Sequence, residues 1–289
     1  CFYIGFNGKG YQTALAVSED LLHWEKKGVV LPAGSGRVWD TNGRAISCLL
    51  CDIDLYGNRE LIKIDGKYWM FYHAYPGEGY ESGAAANGIA WSTDEELLEW
   101  HCEEEPVFSK GESGCWDGAG LYSTWVFPRD GKYVMYYNGK DSASWPWHEQ
   151  VGMAFSDDFY NWKRYKDNPV LRVTPDHWDS HFSCGQHVLY DSREKRWVMF
   201  YCGFDCKHAQ EGVAISSDML SWEKYERPII EYGKSGEIDS IHAHKPCVIY
   251  HDGALWHFYC AVRAPLTDEE KEKFGKEYRC LTVARSKPF

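Results

Sequence analysis

The stretch Ile238–Tyr259, IDSIHAHKPCVIYHDGALWHFY, constrains this chain more than any other because it recurs. Each copy opens on an Asp and runs through polar residues into a short apolar strand. It then turns at or near Asp-Gly and ends in an aromatic strand. Three further copies are legible: CDIDLYGNRELIKIDGKYWMFY from Cys51, WDGAGLYSTWVFPRDGKYVMYY from Trp116 and WDSHFSCGQHVLYDSREKRWVMFY from Trp178. A second signature keeps the same beat: a small-apolar strand, a Ser, an acidic residue and a Trp. It ends at Trp24, Trp100, Trp162 and Trp222, while the aromatic strands end at Tyr3, Tyr72, Tyr137, Tyr201 and Tyr259. The intervals are about 60 to 75 residues, which is the mark of a repeat architecture.

Each unit reads as strand, hairpin, strand, longer loop, strand, turn and short outer strand. Asp65-Gly66, Asp130-Gly131 and Asp252-Gly253 supply the dipeptide that a type I′ hairpin needs, and Asp191-Ser192-Arg193-Glu194 replaces it in the fourth unit. The outer strands are expected at Gly28–Leu31, Pro106–Phe108, Pro169–Leu171 and Pro228–Ile230, and the one helical candidate is Thr267–Phe274. Four antiparallel strands per unit, repeated radially, predict an all-β chain folded as a five-bladed β-propeller. The reading is one domain over 1–289, with blades at about 1–31, 38–108, 115–171, 177–230 and 237–289. The first blade lacks its innermost strand in this chain. Because Cys1-Phe2-Tyr3 enters mid-strand, a preceding segment is expected.

Composition narrows the partners. The net charge of −12 disfavours nucleic acid, since binding phosphates needs Lys and Arg. No run of 18 apolar residues exists to span a membrane. Fourteen Trp and twenty Tyr suit strands and also the flat faces of sugars. Eleven Cys, an odd number and mostly strand-embedded, read as buried thiols of a reducing compartment, which leans cytoplasmic. Cys48 and Cys51 have metal-ligand spacing but no second pair. No cofactor is expected. A structural calcium is compatible with such a fold, although no ligand spacing shows one. Oligomeric state is not legible.

In a propeller the inner strands enter from one face, and the loops between second and third strands rise to the same face. Aligned copies place Asp52, Asp117, Asp179 and Asp239 in register there. Paired carboxylates are what glycosidic cleavage needs, one to protonate the leaving oxygen and one to attack or activate water. An Asp repeated in every blade also reads as a turn device. Residues that differ between blades are the sharper candidates: Asn58-Arg59-Glu60, Ser123-Thr124, Gln186-His187 and His244-Lys245-Pro246. The loop Asn138–Gln150 carries Trp145, Trp147, His148 and Glu149, with Glu149 the expected general acid. Phe204–Glu211, with His208 and Glu211, is the corresponding loop in the next blade. Trp116 and Trp178 each precede an Asp and offer either a stacking rim or a packing element.

The DGKYWMFY and DGKYVMYY hairpins, the GMAFSDDFYNW-type third strands and the five units together resemble the five-bladed propeller glycosidases of families 43, 32, 117 and 130. The opening YIGFNGKGYQTALAVSEDLLHW is most similar to the first blade of families 32 and 43. The resemblance implies hydrolysis of an oligosaccharide, acting from the chain end. Glycoside phosphorolysis and non-catalytic sugar binding remain the alternatives. It also implies an Asp base or nucleophile on the first inner strand, which is expected outside this chain. The Arg-Asp-Pro and Glu-Cys motifs of family 32 are replaced by Asn58-Arg59-Glu60 and Tyr122-Ser123-Thr124. Similarity to family 117 points to His244 and His187, and similarity to family 130 points to Arg59 and Lys245 as a phosphate site. The carbohydrate-binding set is therefore Arg59, Glu60, His187, His244, Lys245, Trp116, Trp145 and Trp178.

Overall fold

A computed structural model describes residues 1–34 and 38–287. Among them the regular elements are all strands except for one short helix. β1 (Phe2–Phe6), β2 (Tyr11–Val17) and β3 (Glu25–Leu31) form the first antiparallel sheet. β4 (Arg44–Leu49), β5 (Lys63–Ile64), β6 (Lys67–Ala74), β7 (Ala86–Ser92) and β8 (His101–Cys102) form the second. Then come β9 (Gly120–Arg129), β10 (Lys132–Lys140), β11 (Glu149–Ser156) and β12 (Lys163–Arg164). The next run is β13 (Phe182–Asp191), β14 (Arg196–Phe204), β15 (Ala209–Ser216) and β16 (Glu223–Lys224). These two runs are joined by one parallel bridge, Glu149 to Phe182. The last sheet is β17 (His242–His251), β18 (Ala254–Arg263) and β19 (Tyr278–Arg285). Before β19 lies α1 (Asp268–Phe274), capped by Thr267, whose side chain accepts from the Glu270 N–H.

The chain divides into two compact units. One holds Cys1–Cys51, Leu61–Trp147 and Gly152–Lys166; the other holds Asp52–Glu60, His148–Val151 and Asp167–Phe289. In the first, Phe71, Ile89, Leu121, Met135 and Tyr137 are fully buried. In the second, Val188, Leu189, Met199, Tyr201 and Ala214 are.

The turns follow from their residues. At the three Asp-Gly hairpins both positions have positive φ: 53° and 72° at Asp65 and Gly66, 50° and 74° at Asp130 and Gly131, 48° and 73° at Asp252 and Gly253. The Ser-acid-Trp signature is a turn of another kind. The acid accepts N–H groups two and three residues on, as Asp158 does from Tyr160 and Asn161 and Asp218 from Leu220 and Ser221. The next residue takes positive φ, and its carbonyl accepts the indole N–H. Phe159 does so for Trp162 and Met219 for Trp222. These acids and indoles are therefore committed to structure.

Two expectations are corrected. The outer strands at Pro106–Phe108, Pro169–Leu171 and Pro228–Ile230 are single bridges, Phe108 to Asn87, Leu171 to Val151 and Ile230 to Glu211. The paired outer strand in those sheets is the shorter β8, β12 or β16. The second copy also begins earlier than its sequence suggests. Its first strand is β4, before Cys51, and 52–60 is an excursion. The residue equivalent to Asp117 is thus Asp40, and Asp52 is out of register.

Candidate active site

The repeated Asp builds a corner. The Asp117 carboxylate accepts from the Tyr137 hydroxyl at 3.1 Å and from Arg164 Nε at 2.8 Å. Asp179 accepts from Tyr201 at 3.3 Å, Ser183 at 3.1 Å and Lys224 at 2.5 Å. Asp239 accepts from Tyr259 at 2.8 Å, and Asp40 is held by Arg44 at 2.7 and 2.9 Å. Trp116 stacks on Tyr137 and Trp178 on Tyr201, centroids 5.5 and 5.6 Å apart. A Cβ on Gly152 would meet Trp116 at 2.5 Å, and one on Gly212 would meet Trp178 at 2.5 Å. At these positions Trp116, Trp178, Asp117, Asp179 and Asp239 make the contacts that the turn-device and packing readings expect. Asp52 lies in the excursion, where it accepts from the Asp54 N–H.

Glu149 is different. It opens β11 rather than sitting in the loop, is nearly buried, and its N–H bonds to the His181 carbonyl. β13, beside it, is paired so that Cys184 stands directly opposite Cys202, and Cys202 stands opposite Glu211 on β15. Side chains opposite one another share a face. Cys184, Cys202 and Glu211 therefore form a transverse row, and Glu149 flanks it through the bridge to Phe182. Hydrogen bonding to Cys202, then burial, then the Glu149 carboxylate push the Cys184 thiol well up. Burial, with the thiols of Cys202 and Cys260 adding, pushes the Glu211 carboxyl well above the carboxylate range. Neither Glu211 oxygen makes a hydrogen bond; the nearest basic atom is His257 Nε2 at 3.8 Å, beyond hydrogen-bond length. Burial alone pulls His257 down to about 4. A fully buried carboxyl with unpaired oxygens costs stability, and such groups concentrate where a protein works.

One stability consequence is direct. A carboxyl whose folded pKa is raised binds more protons folded than unfolded. Its contribution is intact below the unfolded value, near 4.3, and is lost as pH rises toward the folded value. Glu211→Gln should therefore gain melting temperature relative to wild type as pH rises from about 5 to 8. Parallel melting curves across that range would show that Glu211 is already charged.

The basic candidates lie in the same unit. The inner strands are bulged, between Cys184 and His187 and between His244 and Cys247, and bulges re-aim side chains. Lys245 sits in the second bulge at φ 67°. His187 is buried and its Nδ1 accepts the Val248 N–H at 2.9 Å; burial, then Arg59 and His257, hold it well below its ordinary value. Burial, then Lys245, Arg279 and His242, do the same to His244, whose Nε2 is 3.4 Å from Arg279. Arg59, at φ 59°, donates to the Asp52 carbonyl, so Asn58-Arg59-Glu60 leads no inner strand. Glu60 lies in the excursion, 3.2 Å from Asn58 Nδ2. Among the described residues no group of three or more His, Cys, Asp or Glu is placed to hold a metal ion.

Comparison with known proteins fixes the family. The model of the Glycosyl hydrolases family 32 N-terminal domain matches residues 58–265. This chain is a member of that family. Its fold is therefore the five-bladed β-propeller. A solved structure, a BT0996 RGII complex, is 30% identical, at TM-score 0.83, over 99% of this chain and 81% of its counterpart. Another, named "Glycoside hydrolase", is 28% identical at TM-score 0.83 over 100% and 83%. Two curated relatives match less: a levanase of Bacillus sp. (strain L7), 28% identical over 54% of this chain and 16% of its own, and a 1,2-beta-oligomannan phosphorylase of Thermoanaerobacter sp. (strain X514), 29% identical over 42% and 33%. The chain thus matches well under two thirds of either curated relative.

Within this family 32 propeller, the row containing Glu211 was readable only in part. Gly88, Gly152 and Gly212 occupy one register in three blades, each pressed under a Trp. The residues just before them are Asn87, Val151 and Glu211. That substitution series marks Glu211 as the acid in an otherwise structural column, a signal that assigning 204–211 to a loop concealed.

Proposed function

We propose that this propeller hydrolyses glycosidic bonds at the end of an oligosaccharide, with Glu149 as the general acid. The observation that supports this most is the row Glu149, Cys184, Cys202, Glu211, which brings two carboxyl groups far apart in sequence to one buried face. The Glu149 proton passes to the glycosidic oxygen as the bond to the anomeric carbon breaks. Water then supplies hydroxyl to that carbon and a proton to restore the acid. Arg59, His187, His244 and Lys245 hold sugar hydroxyls or an acidic substituent. Asp117, Asp179 and Asp239 keep their structural partners throughout.

Phosphorolysis is the second reading, favoured by the oligomannan phosphorylase relative. The test is an assay on RGII, levan and β-1,2-oligomannan, with and without inorganic phosphate. Hydrolysis predicts release of reducing sugar without phosphate. Release that requires phosphate would transfer the assignment to a phosphorylase, and no release from any of the three would overturn the catalytic reading.

A further inference from the structure

In the first unit, aromatic side chains form a continuous strip across three consecutive blades. At one end Phe6, on β1, meets Tyr11 at 5.7 Å and Tyr80 at 6.1 Å between centroids. Tyr11 meets Tyr80 and Tyr75 at 5.9 Å each, and Tyr75 meets Tyr122 at 5.9 Å. Tyr11, Tyr75 and Tyr122 are buried in one core cluster that anchors the strip from beneath; Phe6 and Tyr80 are exposed, 44% and 58%. At the other end Lys140 Nζ lies 5.9 Å from the Tyr122 ring and 3.7 Å from the Trp147 ring. Trp147 stands edge-on to Trp145 at 4.9 Å, and Trp145 is 53% exposed.

The placement is not incidental to the fold. Tyr80 and Trp145 are carried by corresponding segments, the one between β6 and β7 and the one between β10 and β11. The first of these is pinned to its neighbour: the Gly79 N–H donates to the Lys9 carbonyl at 2.7 Å, and Asn42 Nδ2 donates to the Pro76 carbonyl at 2.7 Å. Polar groups alternate with the rings. The Tyr11 hydroxyl is 3.3 Å from Glu81, and the Lys140 ammonium lies between Tyr122 and Trp147. A purely apolar strip would suit a lipid or a protein. Ring faces interleaved with hydroxyl, carboxylate and ammonium suit a ligand whose own surface alternates C–H faces and hydroxyls, which is a sugar polymer.

We propose that this strip is an extended carbohydrate-binding subsite, with Tyr80 and Trp145 as its stacking ends. It rests on the glycosidase reading for its ligand class but not on the chemistry of Glu149. The experiment therefore measures binding without turnover, in the Glu149→Gln protein, by calorimetry. The probes are oligosaccharides of levan and of β-1,2-mannan in graded lengths, and RGII with its truncated forms. Affinity for at least one series should rise with length. Tyr80→Ala and Trp145→Ala should each cut affinity for its longest member about tenfold and leave the shortest unaffected. Both side chains are exposed, so both variants should fold. Affinity flat with length in every series, or equal losses at all lengths, overturns the subsite. Length-dependent binding with no turnover by wild type keeps the subsite and sinks the hydrolase; turnover with flat length dependence does the reverse.

Discussion

Glu149→Gln should lower kcat on a natural oligosaccharide by roughly a thousandfold, within the range general acid catalysis supplies. The amide keeps the shape and an acceptor oxygen toward Cys184, but it has no proton to give at ordinary pH. The melt should stay near wild type, because the Glu149 backbone bond to His181 and the bridge to Phe182 do not involve its carboxylate. The role can be separated from mere damage with a leaving group that needs no proton. On an aryl glycoside of an acidic phenol the loss should shrink by at least tenfold relative to the natural substrate, as Brønsted behaviour requires. Equal losses on both substrates would mean that Glu149 positions substrate rather than protonating it. Unchanged kcat on both would remove it from the chemistry.

The architecture was legible in the sequence because the signals that carry it are local. Asp-Gly can make a type I′ turn wherever it occurs, and a Ser-acid-x-x-x-Trp turn closes on itself through its own indole N–H. The site was legible only in pieces, because chemistry depends on which residues face one another across strands. Asp52 has the repeat spacing to Asp65 but lies in the excursion, while the equivalent residue, Asp40, sits before a strand that the sequence motif does not cover. Trp116 and Trp178 offered a stacking rim or a packing element, and their place over glycine, stacked on tyrosines, shows only once the strands are paired. Nothing in the sequence singles out Tyr11, Tyr75 and Tyr122 together, since no periodicity says that segments from different blades will bring them into one cluster. Cross-strand register, which puts Cys202 opposite both Cys184 and Glu211, becomes visible only when the strands are paired.

The repeated aspartates give the sharpest contrast with Glu149, and Asp179 is the one to remove. It is fully buried and takes hydrogen bonds from Tyr201, Ser183, His177 and Lys224. Burial raises its pKa, but the Lys224 charge and the hydrogen bonds from Lys224, His177 and Thr174 outweigh that and hold it below the ordinary carboxylate range. Its contribution to stability is therefore present above about pH 4 and is lost as pH falls through its lowered folded value. Asp179→Ala leaves the Lys224 ammonium, itself mostly buried, without its counter-charge. Breaking such a pair costs about 3 kcal/mol at the lower end of the measured range, which for a chain of this size is a fall of roughly 5 °C in melting temperature. Adding Lys224→Met, which removes the stranded charge, should recover a good part of that fall. Asp179→Asn, assayed well below its melting temperature, should keep kcat within a few-fold of wild type, since nothing it bonds touches substrate in this scheme. If Asp179→Asn instead loses activity by a hundredfold while melting like wild type, the corner is chemical after all, and Glu149 must share the site with it.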